Sequence, residues 1–210
     1  MNDVAIFEKV SFEEYLRAMR ASERFNGTIS SEEDIKLLKK VYNDFSLPKR
    51  STKGSAGYDF FFPLWDTSLS SHTSIEIPTG IKVKILRDDY WLGIFTKSSL
   101  ARDYHIRLRD MVSVIDADYY NSEECEGHIF IELVNESDKV FRIKHNTKYA
   151  QGIFMEFGKI VGDNTQNIRK GGYGSTSSND IDYNTYPSTA TTTTTNFDNG
   201  IGKFNTTVQL

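Results

Sequence analysis

Residues 75–85 read Ile-Glu-Ile-Pro-Thr-Gly-Ile-Lys-Val-Lys-Ile. Ile75 and Ile77 flank Glu76, the pattern breaks at Pro78-Thr79-Gly80, and Ile81, Val83 and Ile85 then share one face against Lys82 and Lys84. A period of two on both sides of a Pro/Gly break predicts two short strands, each burying one face. Working outward, His128-Ile-Phe-Ile-Glu-Leu-Val is a candidate for a fully buried strand, and Val140-Phe-Arg-Ile reads as another. Ile153, Met155 and Phe157 alternate in a last one. Many short strands at this spacing between about 48 and 160 predict an all-β jelly roll or distorted β-barrel.

The flanks differ in composition. Residues 1–47 are expected to be a helical extension. Ser11 and Glu14 fit a capping box ahead of Phe12, Tyr15, Leu16 and Met19 on one face. Ser30-Ser31-Glu32-Glu33-Asp34 then places acids where a helix dipole favours them, and Ile35, Leu38, Val41, Tyr42 and Phe45 recur at helical spacing. Leu47-Pro48 ends the pattern, because the residue before proline is pushed to extended geometry. Residues 48–178 form the expected β domain with a C-terminal arm. Residues 179–210 are a Thr/Asn-rich tail with five consecutive threonines from Thr191, and with little to bury the tail is expected to be mostly disordered.

The whole chain of 210 residues carries 25 Lys plus Arg against 29 Asp plus Glu, a net charge of −4, which argues against a nucleic-acid coat or a polybasic membrane binder. Its apolar fraction is lean at 38%, but 14 Phe, 11 Tyr and 2 Trp concentrate burial in large side chains. The single cysteine, Cys125, excludes an internal disulfide framework and a Cys-rich zinc site. The four histidines, His72, His105, His128 and His145, show no paired ligand spacing. The N-terminus lacks the signature of a signal peptide and no apolar run is long enough for a membrane span, so the expected location is the cytoplasm.

Five short segments are richer in Gly, Ser and polar groups than their strand context requires. In Gly54-Ser-Ala-Gly-Tyr-Asp-Phe, small residues let a partner approach the backbone beside the Asp59 carboxylate. Thr96-Lys-Ser-Ser-Leu-Ala joins a cation, Lys97, to the hydroxyls of Ser98 and Ser99, groups that suit phosphate, without P-loop spacing. Ser113-Val-Ile-Asp-Ala-Asp-Tyr-Tyr runs from an apolar pair, Val114 and Ile115, into Asp116; a carboxylate held at a buried strand end is what a general base needs. Tyr149-Ala-Gln-Gly-Ile-Phe places Gln151 among small residues. Arg169-Lys-Gly-Gly-Tyr-Gly-Ser-Thr sets two cations beside mobile glycines and Tyr173, a segment able to fold over a triphosphate and stack on a base.

Taken in this order, the segments resemble the five motifs of the trimeric all-β deoxyuridine triphosphate nucleotidohydrolases (dUTPases). Ala56-Gly-Tyr-Asp, Lys97-Ser-Ser-Leu, Val114-Ile-Asp-Ala-Asp-Tyr, Ala150-Gln and Gly171-Gly-Tyr-Gly-Ser-Thr are the matching stretches. The resemblance implies hydrolysis of dUTP to dUMP and pyrophosphate by a homotrimer whose sites each draw on three subunits. It implies Asp116 as the base that activates water, and Tyr119 as the ring that packs on the deoxyribose. A hairpin near 110–115, including Asp110, Val114 and Ile115, would read the uracil edge. Lys97, Ser98, Ser99, Gln151 and Arg169 would hold the phosphates, with Tyr173 and Gly174 in a closing arm. Mg²⁺ would ride on the triphosphate, with Asp59 reaching it through water.

The chain departs from that pattern in three places. Thr96-Lys-Ser-Ser stands where the family usually has Pro-Arg-Ser-Gly, and residues 121–126 intervene before Gly127. The fifth motif is one residue shorter between its arginine and its aromatic, leaving Arg169 or Lys170 as the γ-phosphate ligand. The alternatives are a deoxycytidine triphosphate deaminase-like enzyme, or a regulatory module on a dUTPase scaffold that uses the helical extension or the acidic insertion to hold a protein partner.

Overall fold

The computed structural model describes residues 3–22 and 29–166, together with the backbone of 197–198 and 203–204. Two compact units divide the chain, Met1–Ser175 and Thr176–Leu210. In the second, Phe197–Asp198 and Lys203–Phe204 form a short antiparallel ladder; the rest of the tail, expected to be disordered, lies outside the described residues.

The first element departs from expectation. A strand, β1 (Ala5–Lys9), precedes the helices and pairs antiparallel with β6 (Ile81–Ile85), with Ala5 opposite Ile85 and Lys9 opposite Ile81. Its reason is Phe7, whose ring meets Tyr58, Phe60 and Phe154 at centroid distances of 5.6, 5.8 and 5.7 Å, an aromatic cluster that rewards an extended backbone beside β6. Two helices follow as expected, α1 (Phe12–Ala21) and α2 (Glu32–Asp44). At α2 the capping box is complete: Asp34 N–H donates to Ser31 Oγ at 3.1 Å and Ser31 N–H to Asp34 Oδ2 at 2.9 Å. At α1 only half of it forms. Glu14 N–H reaches Ser11 Oγ, but the Ser11 N–H goes to Glu126 Oε2 at 3.0 Å, leaving Glu14 for other work.

The β domain then unfolds in order: β2 (Lys49–Arg50), β3 (Tyr58–Phe61), β4 (Thr67–Leu69), β5 (Ser74–Pro78), β6, and β7 (Tyr90–Thr96). A short helix α3 (Ser98–Tyr104) leads to β8 (Ile106–Leu108) and β9 (Val112–Ile115), a 3-10 turn at Ala117–Tyr119, and β10 (Phe130–Asn135), β11 (Phe141–Ile143) and β12 (Lys148–Glu156). A five-stranded sheet runs β2-β3-β12-β7-β9, a three-stranded one β5-β10-β8, and β1-β6 and β4-β11 pair separately. The architecture is mostly β and jelly-roll-like; among the described residues the sheets do not close into a barrel. Strand β10 begins at Phe130 rather than His128, and it alternates buried and half-buried residues instead of burying both faces.

One core joins these parts. Phe60, Phe62, Leu92, Ile94, Ile131 and Tyr149 fill it from the sheets, while Tyr15, Met19, Leu38 and Phe45 enter from the helices. The turn that interrupts the opening stretch is where the helices dock. Gly80 has φ +71°, and a Cβ there would lie 2.5 Å from the Phe45 ring, so only glycine suits both backbone and space. Its carbonyl accepts the Val10 N–H at 3.0 Å. Among the described residues, no helix is long and apolar enough to cross a membrane.

Candidate active site

Three of the five segments converge at one end of the five-stranded sheet. Asp59 on β3 lies opposite Gln151 on β12, and Gln151 lies opposite Phe95 on β7, one residue short of Thr96 and two short of Lys97. Lys97 Nζ donates to Asp59 Oδ1 at 2.7 Å, and Lys148 Nζ stands 3.0 Å from Oδ2, which also accepts from Ser51 Oγ. Asp59 is only 3% exposed. Burial alone would raise its pKa, but the hydrogen bonds from Lys97, Ser51 and Lys148 outweigh that and hold it at about 2. The cluster carries two cations against one carboxylate. Beside it, Ser98 and Ser99 open α3 with exposed side chains. A cationic corner with free-standing hydroxyls suits an anion with several oxygens, a phosphate chain above all.

Glycine explains how closely these strands approach. A Cβ on Gly57 would lie 2.7 Å from Gln151 Oε1, so the first segment's small residue lets the glutamine lie against its backbone. Lys148 and Ser51 went unnoticed in the sequence. The available signal was a basic residue three positions before Gln151, just ahead of the predicted last strand, but pairing it with Asp59 needs the register of β3 against β12.

The third segment lies elsewhere. Strand β9 is the edge of the sheet, and its register against β7 puts Val112 opposite Phe95 and Ile115 opposite Leu92. An edge strand keeps one row of backbone donors and acceptors unpaired within its sheet, which is the equipment for reading the rim of a flat heterocycle. Val114 is 51% exposed, Ile115 is buried, and Asp116 follows half-buried at the position before the 3-10 turn, without a side-chain capping bond to it. Strands β8 and β9 do not form a hairpin with each other. They belong to different sheets, linked by a tight corner in which Met111 has φ +66° and Ser113 Oγ donates to Asp110 Oδ2 at 3.0 Å. Tyr119 is buried, and its hydroxyl donates to the His128 carbonyl at 2.7 Å.

The ladder ends with Ile115 opposite Leu92, and Asp116 follows one residue beyond it, on the side of β7 away from Lys97. At the usual strand rise this separates the carboxylate from the cationic corner by about 20 Å. One chain therefore brings together Asp59, Lys97 and Gln151, and keeps Asp116 apart from them. Arg169, Tyr173 and Gly174 lie outside the described residues.

An all-β scaffold with a phosphate-suited corner, and a separate carboxylate following an edge strand, has the equipment of a nucleotide-handling protein. The dUTPase family model matches residues 43–179. The deoxyuridine 5'-triphosphate nucleotidohydrolase of Lactococcus lactis subsp. lactis (strain IL1403) is 38% identical over 134 residues, 62% of this chain and 87% of that protein. The one from Actinobacillus pleuropneumoniae serotype 5b (strain L20) is 33% identical over 149 residues, 67% of this chain and 94% of its own length. Among solved structures, a dUTPase from Streptococcus mutans superposes with a TM-score of 0.51 at 37% identity, covering 55% of this chain and 89% of that one. The chain belongs to the dUTPase family.

Proposed function

We propose how this chain's residues divide the work of its family's reaction. The chain is a dUTP diphosphatase: it hydrolyses dUTP to dUMP and pyrophosphate. In our reading the corner of Lys97, Ser98, Ser99 and Gln151 holds the phosphate chain, and the edge of β9 from Asp110 through Ile115 reads the uracil. Asp116 takes a proton from the water that attacks the α-phosphorus; the new P–O bond forms as the bond to the bridging oxygen breaks, and pyrophosphate leaves. Tyr119 meets the deoxyribose, and the segment with Arg169, Tyr173 and Gly174 closes over the nucleotide.

Mg²⁺ carried on the triphosphate would supply charge neutralisation at the phosphate oxygens. Among the described residues no three His, Cys, Asp or Glu side chains cluster to hold a metal. Asp59 fits a different task from the water-mediated metal contact expected of it. Both of its oxygens are engaged and the group is buried, so we assign it to hold Lys97 and Lys148 in place for phosphate.

The observation that carries this reading is the separation along β7. A carboxylate about 20 Å from the phosphate corner cannot serve the same nucleotide's α-phosphorus, so the corner of one copy works with Asp116 of another, as in a homotrimer. Mixing tests it. Asp116→Asn and Lys97→Ala chains, each inactive alone, are denatured together and refolded. Shared sites restore about a quarter of wild-type turnover by random assortment. No recovery would show that each site is built within one chain.

A further inference from the structure

Two stretches depart from the family pattern, and they meet. The family match begins at residue 43, so α1 lies outside it, and residues 121–126 intervene in the third motif. Glu126, at the end of that insertion, accepts from both the backbone N–H and the Oγ of Ser11, the residue that caps α1. Tyr120 Oη donates to Glu8 Oε2 at 2.7 Å, and Lys82 Nζ ties Asn121 Oδ1 at 2.8 Å. The helix answers with Glu14, whose Oε1 lies 3.0 Å from Nδ1 of His128, a residue with no exposed surface. Glu14 is itself held by Arg17 at 2.7 and 3.0 Å.

The imidazole has a defined orientation. Gly80 N–H donates to His128 Nε2 at 2.8 Å, so that nitrogen is the acceptor and Nδ1 carries the proton toward Glu14. Burial keeps His128 below its ordinary pKa in spite of Glu14, in keeping with a neutral ring. The backbone of the same residue accepts the Tyr119 hydroxyl, and its N–H returns to the Cys125 carbonyl at 2.8 Å. Tyr119 is thus anchored on a residue whose side chain is gripped by α1.

We propose that α1 positions the sugar-binding face of the enzyme, with Glu14 acting through His128, and Ser11 through Glu126, to set where Tyr119 stands. This rests on the assignment of Tyr119 to the deoxyribose. Glu14 and Ser11 touch no substrate; they are positioning residues. A ring that must leave room for a hydrogen and none for a hydroxyl discriminates by small displacements, so loosening its anchor erodes selectivity before it unfolds the protein.

The test measures kcat/KM for dUTP and for UTP, with melting temperature alongside, on the full chain. Glu14→Ala lowers the dUTP preference about five- to tenfold, and Glu14→Gln, which keeps an acceptor for His128 Nδ1–H, restores it to within about twofold. Ser11→Ala lowers it about two- to threefold and serves as the variant if Glu14→Ala does not fold. Tyr42→Phe breaks a 2.6 Å bond to the Val10 carbonyl in the same extension without touching the His128 link; it lowers the melting temperature and leaves the preference unchanged. If Glu14→Ala and Tyr42→Phe both lose stability and both keep the preference, α1 is only a structural prop and the proposal falls. Tyr119→Ala separates the two readings. A collapsed preference there with an intact one in Glu14→Ala overturns the positioning role alone, whereas an intact one in Tyr119→Ala overturns both.

Discussion

Asp116 and Asp59 are both carboxylates in β-rich surroundings, yet the structure gives them opposite settings. Asp116 stands half-buried at the end of an edge strand, whereas Asp59 is sunk among two lysines and a serine. Replacing Asp116 with Asn should lower kcat by about 10²–10⁴ with KM changed only a few-fold, read by pyrophosphate release. Asp59→Asn should instead weaken nucleotide binding and stability together. Because the folded carboxyl titrates at about 2 against an ordinary 3.8, its contribution is fully present above about pH 4 and is lost as pH falls through about 2. Urea unfolding should show a gap of about 2 kcal/mol between wild type and Asp59→Asn at neutral pH, narrowing steadily below pH 4. The place of Asp116 after a strand end was legible in the sequence because the apolar pair Val114-Ile115 leads directly into it. The partners of Asp59 were not, since Lys148 lies 89 positions away and only strand register brings it close.

At the scale of elements, local chemistry foretold what local chemistry decides. Ser31 with Asp34, and the stop before Pro48, bound α2 closely; the alternation of 75–85 yielded β5 and β6. Strand β1 was hidden because Ala5, Phe7 and Lys9 on one side and Ile6 and Glu8 on the other give no clean alternation, and its extended form answers to an aromatic cluster on distant strands. The half-formed box at α1 has the same origin: Glu126 takes the donor that Glu14 would have taken. The Gly80 turn tests this dependence. Gly80→Ala should cost at least about 2 kcal/mol in urea unfolding, since both its positive φ and the Phe45 ring oppose a Cβ. Gly54→Ala, where nothing lies within 4 Å, should stay within about 0.5 kcal/mol of wild type.

For the whole molecule, the helices are part of the core rather than an attachment to it. Tyr15, Met19 and Leu38 have no exposed surface, and each would leave a large void or an uncovered face if removed. Deleting residues 1–42, everything before the family match, should therefore give an insoluble or strongly destabilised chain, with a melting temperature more than about 10 °C lower. An unchanged melting temperature would make the extension dispensable. The pairing of Glu14 with His128 spans 114 residues of chain. During synthesis at about 5–20 residues per second, Glu14 is made about 6–23 seconds before the histidine that receives it exists. Through most of that interval Tyr15 can lean only on Tyr42 and Phe45, and the strands that complete its cover are still to come, so the birth of this enzyme includes a waiting period in which its first helices are natural clients for chaperones.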